Sequence, residues 1–200
     1  MERDWTNQQK LDRALDDLAY VRELIDRTRL RWAGGYQYLL LWGVLWLVGY
    51  GSGIWLAPGA QGKLWLVLYA VGTIGSLLLG NADRTANGQQ TTPLLLRKLG
   101  WVSGLLLLCG FAVLMLFRVT DERLINAFFP LWIGMIYIVN GIFLGREAIA
   151  TGVWLLVVAV ASLAVPSSLP MQNAWLACAG GGGLLVSGWL MRRQVMQHDR

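Results

Sequence analysis

Six apolar stretches constrain this chain more than anything else in it. They run over about 36–57, 63–80, 99–117, 124–144, 148–165 and 173–191, near the roughly 20 residues (range about 17–25) that a helix needs to cross a bilayer. Lipid offers the backbone no hydrogen-bond partner, so segments of this kind must pair their own amides as helices. The expected fold is therefore an all-α integral membrane protein, with six transmembrane helices arranged as three hairpins. Composition agrees. The 200 residues are 56% hydrophobic and 14% charged, against about 25% charged in soluble domains. That balance excludes a disordered chain, a disulfide scaffold and a large soluble enzyme.

The net charge of +5 matters less than its distribution. Arg3, Lys10, Arg13, Arg22, Arg27, Arg29 and Arg31 precede the first stretch. Arg84, Arg97 and Lys98 lie in the 81–98 connection, Arg146 in the 145–147 turn, and Arg192, Arg193 and Arg200 in the tail. All of these fall on one side of a six-span layout, and only Lys63, Arg118 and Arg123 fall on the other. Cytoplasmic loops carry the excess of Lys and Arg, so both termini are expected in the cytoplasm, with the chain multi-pass in a cell inner (plasma) membrane. The charged first 30 residues do not read as a cleavable signal peptide. Cys109 and Cys178 fit no metal or redox spacing and read as buried free thiols.

Three segments follow: a cytosolic amphipathic arm at 1–35, the bundle at 36–191, and a short basic tail at 192–200. In the arm, Leu11, Ala14, Leu18, Val21, Ile25, Thr28 and Trp32 recur at alternating spacings of three and four, which puts them on one helical stripe. Such a stripe needs a partner. Leu11, Leu18, Val21 and Ile25 are the expected contacts for a protein partner or a second copy, with the membrane surface as the alternative. Arg27, Arg29 and Arg31 stand next to the first span, where each base gains about 1 kcal/mol from anionic lipid. Nothing in the pattern points to nucleic acid.

Within the bundle, small residues recur four apart, as in Gly49/Gly53, Gly72/Ser76/Gly80, Gly100/Gly104, Gly141/Gly145 and Ala148/Gly152. Helices in lipid associate through close packing of this kind. The run Gly180–Gly183 reads as close packing against a neighbour, with a cavity-lining break as the alternative. The even-numbered spans end alike, at 74–79, 139–144 and 186–191, which suggests three parallel repeats.

Site chemistry is sparse. No ionisable residue lies at the centre of a span, which argues against proton-coupled pumps and voltage sensors. The single His198 supports no zinc, haem or Ser-His arrangement. No catalytic residue, metal site or cofactor is expected. The ligand-binding candidates are Tyr38, Trp42, Trp46 and Tyr50, an aromatic ladder at i, i+4, i+8 and i+12, and Asn140. The ladder suits an apolar or cationic ligand through stacking or cation–π contact, or simple helix packing. Asn140 needs hydrogen-bond partners, which a neighbouring helix can supply. Asp121 and Glu122 read as a solvated turn, with cation binding as the alternative. The leading functional expectation is a non-catalytic membrane module assembling through its N-terminal helix and small-residue faces. A small transporter or channel for an apolar or cationic solute is the alternative.

Overall fold

The computed structural model describes residues 15–16, 35–86, 94–164 and 168–198. Among these the chain is helical and contains no strand. The elements are α1 (Tyr36–Ser52), α2 (Pro58–Ala86), α3 (Leu94–Leu116), α4 (Glu122–Leu144), α5 (Arg146–Ala164) and α6 (Leu169–Trp175). A π-helical turn (Leu176–Gly181) then leads directly into α7 (Gly182–His198). Four stretches are long and apolar enough to cross a membrane: Gly59–Ala82, Glu122–Ile142, Arg146–Ala164 and Leu169–Gln194. α1 is shorter at 17 residues, as is the apolar part of α3, Gly100–Leu116.

Helix boundaries depart from the sequence reading where local chemistry intervenes. α1 stops at Ser52 rather than near 57, because the chain turns over Gly53–Leu56. Pro58 then opens α2, where its missing N–H costs nothing. The connection expected at 81–98 is shortened from both sides, with α2 running on to Ala86 and α3 beginning at Leu94. Pro170 sits in the first turn of α6, so the last apolar helix starts at Leu169 rather than 173.

Glycine decides where helices touch backbone to backbone. α4 and α5 form a hairpin closed by Gly145, whose φ of 126° favours glycine. Along it, a Cβ on Gly152 would lie 2.6 Å from the Gly134 carbonyl oxygen, and one on Gly134 would lie 2.8 Å from the Gly152 oxygen. The glycine run of the last helix packs on α1: a Cβ on Gly180 would meet the Trp46 ring at 3.2 Å, and one on Gly181 the Leu47 amide nitrogen at 2.9 Å. It is a packing surface, as the first of the two sequence readings has it. The π-turn lies within this contact, and its Ala179 carbonyl accepts from Trp154 Nε1 at 2.9 Å. Leu39, Trp46, Tyr50, Leu155, Val158, Leu176 and Leu184 fill the core between α1, α5, the π-turn and α7.

α2 and α3 lie outside this core. α2 rests on α1, with Gly72 and Gly75 making room for Trp42, Leu45 and Leu41. α3 rests on α4, held by Trp132 Nε1 donating to the Leu106 carbonyl at 2.8 Å and Asn140 Nδ2 donating to Ser103 Oγ at 2.8 Å.

Candidate functional site

The end of the bundle that carries Asp121 holds an aromatic pocket. α1 supplies Tyr50, α2 supplies Trp65 and Tyr69, α3 supplies Phe111 and α4 supplies Phe129. Successive ring centroids stand 4.9 Å apart for Tyr50–Trp65, 5.5 Å for Trp65–Tyr69, 6.3 Å for Tyr69–Phe129 and 5.6 Å for Phe129–Phe111. These separations fall in the range where tilted and edge-to-face pairs attract. The rings enclose about 300 Å³, together with Gln61, Gly62, Leu66, Glu122, Ile125 and Asn126. That volume is at the lower end for small-molecule pockets. Leu66 is 72% exposed, so the mouth opens beside it on α2.

A proline shapes one wall. Pro130 lies inside α4 and has no N–H to donate to the carbonyl four residues earlier. That carbonyl belongs to Asn126, and the Tyr50 hydroxyl donates to it from α1 at 3.3 Å. The bond spans the base of the pocket and joins the two helices at a position where α4 cannot satisfy itself.

Behind this wall lies a network of buried amides. Asn126 Nδ2 donates to Asn173 Oδ1 at 3.0 Å, and Asn173 Nδ2 donates to the Gly53 carbonyl at 3.0 Å. Gln172 Nε2 donates to the Arg123 carbonyl at 2.9 Å and to Ser162 Oγ at 3.4 Å. Gln172 and Asn173 are fully buried. In a low-dielectric interior each bond strengthens and each omission costs more, so the network ties α1, α4, α5 and α6 together at this end. Gly53 is required here, since a Cβ would overlap the Gln61 and Asn173 side-chain amides.

Acid at the pocket edge divides into two tasks. Asp121 caps α4, its side chain accepting from the Arg123 amide at 2.8 Å. Arg123 turns toward α5, where its guanidinium donates to the Leu163 carbonyl at 3.5 Å. Glu122, half-buried, lines the pocket and makes no ion pair with a described residue.

Of the aromatic ladder, the structure brings Tyr50 alone to the pocket. Trp46 packs edge-on to Tyr50 at 5.6 Å within the core. Trp42 faces α2, tilted against Tyr69 at 5.9 Å with Nε1 donating to Ser76 Oγ at 3.2 Å. Tyr38 lies farther along α1, beside Gly80. Asn140 is placed between α3 and α4, away from the pocket. Leu11, Leu18, Val21, Ile25, Arg27, Arg29 and Arg31 lie outside the described residues; the described part of the arm, Leu15 and Asp16, is helical and exposed. Sequence reasoning missed Gln61, Trp65, Tyr69, Phe111, Asn126, Phe129, Gln172 and Asn173. The available signal was the placement of Gln61, Asn126, Gln172 and Asn173 near span ends on a single side of the layout. Among the described residues no group of His, Cys, Asp and Glu is arranged to hold a metal ion. Comparison with protein-family models, curated proteins and solved structures gives no match for this chain.

Proposed function

We propose that this chain is a six-span inner-membrane protein, both termini cytoplasmic, that binds a small apolar or cationic solute as the recognition step of a transporter or solute sensor. The aromatic pocket carries the reading: five rings from four helices converge on about 300 Å³, where packing alone would fill the space. The charge bias of the loops supports the orientation, which puts the pocket on the external side; the six-span count rests on the six apolar stretches of the sequence, beside four helical stretches long and apolar enough to cross a membrane. The test is a thermal-unfolding screen of the nanodisc-held protein against apolar and cationic solutes, beside Gly62→Phe. Gly62 lines the pocket, and a Cβ there meets nothing within 4 Å, so a phenylalanine begins in open space beside the pocket and is introduced to obstruct it. The expected result is a solute-dependent rise in midpoint that this variant loses. A rise of equal size in the variant, or none in either protein, overturns the proposal.

The assembly reading has an observation of its own. Gly100 and Gly104 on α3 have nothing within 4 Å, the open form of a small-residue helix contact. Self-association, or docking of a protein partner through α3 and the N-terminal arm, with anionic lipid beside the arm, is compatible with solute binding. Oligomeric mass in nanodiscs, with and without residues 1–31 and with Gly104→Leu, tests it; a mass that neither change alters counts against both contacts.

A further inference from the structure

The pocket's electrostatics narrow its ligand. Aromatic faces carry negative partial charge, and a cation placed over several of them in a dry site gains more than at an exposed one. Glu122 adds a full negative charge at the edge of the same space, and neither of the ordinary uses of such a residue accounts for it. The α4 cap is already supplied by Asp121, and the adjacent Arg123 is directed to the Leu163 carbonyl on the far side. Among the described residues no lysine or arginine lines the pocket. A neutral apolar solute would leave this carboxylate beside it uncompensated, and an anion would be repelled by both rings and carboxylate.

Resting on the solute-binding reading above, we infer that the pocket binds an organic ammonium group, held over Trp65, Tyr69 and Phe129 and paired with Glu122. Gln61 and Asn126 supply amide dipoles at the same wall for a hydroxyl or ester next to the cation. The ammonium reaches the site either as a free solute or as the headgroup of a lipid in the adjacent leaflet.

The test uses the full chain in phosphatidylglycerol nanodiscs and reads midpoint shifts with three probes: choline, tetramethylammonium and 3,3-dimethylbutan-1-ol, the neutral carbon analogue of choline. Choline is expected to bind roughly tenfold tighter than the neutral analogue, the size of a desolvated cation–π preference. Glu122→Gln is expected to remove most of that preference, lowering choline affinity more than analogue affinity. Phe129→Leu keeps an apolar wall but lowers choline affinity more than analogue affinity. Equal binding of choline and the neutral analogue, both lost in Gly62→Phe, overturns the ammonium assignment and leaves the pocket standing. Binding of none of the three overturns the assignment; whether the pocket reading falls with it is decided by the wider screen. Repeating the titration in phosphatidylcholine nanodiscs separates the sources. A weakened choline response identifies the lipid headgroup as occupant, and an unchanged one identifies a free solute.

Discussion

The α4–α5 hairpin and the α2–α3 pair are built from similar apolar sequence and behave differently. α4 and α5 are joined through one residue outside helix, Gly145, and their backbones meet at Gly134 and Gly152. α2 and α3 also follow one another, but across a longer connection, and each rests on a different neighbour. The same small residues are thus consumed in one pair and left open in the other, as at Gly100 and Gly104. Connection length and the register of small residues, rather than hydrophobicity, determine which helices pair. The looser arrangement leaves room for the pocket, where Tyr69 of α2 and Phe111 of α3 each meet Phe129 of α4.

Substitutions can test that contrast, and the largest effect is expected at the tight hairpin. Gly152→Leu forces two backbones apart, and a loss of about 3 kcal/mol or more is expected for overpacking a site of this kind. Chemical denaturation in detergent, or failure to recover folded protein, reads it. Asn173→Ala leaves the Gly53 carbonyl and the Asn126 amide without their partner, for a loss of about 2 kcal/mol. It should raise hydrogen exchange at the ends of α1 and α4 while leaving α3 unaffected. Asn140→Ala removes the Ser103 bond at about 1 kcal/mol, seen as increased exchange of α3 with α4–α5 unchanged. Gly104→Ala, on the open face, should fall within about 0.5 kcal/mol of wild type in the same denaturation. If Gly152→Leu proves as mild as Gly104→Ala, the contrast between the two pairs is wrong.

What sequence could reveal follows from this. All six apolar stretches became helices because length and apolarity are local properties. The glycine run was readable as a contact surface, although the π-turn overlapping its start was not, since the Trp154 side chain that meets its Ala179 carbonyl comes from another helix. Asn140 was readable as needing a partner, but Ser103 could not be named without knowing which helix lay beside α4. The ladder on α1 was a true periodicity whose members serve different neighbours: Trp42 meets α2, Trp46 meets the core, and Tyr50 alone reaches the pocket. The pocket itself was not legible, because its five rings come from four separate helices and only Trp65 and Tyr69 share a helical spacing.

Pro130 has one more consequence. Every residue that α4 gives to the pocket, from Glu122 through Ile125 and Asn126 to Phe129, precedes it, while the Gly134 contact with α5 follows it. The proline divides the helix into a pocket-lining segment and an anchored stem, with Tyr50 tying the first of them to α1. Tilting the first segment breaks no rung of α4's own hydrogen-bond ladder at the break point, since the rung at Asn126 is already missing. A helix that has given up one internal bond in advance can bend at that point without unwinding.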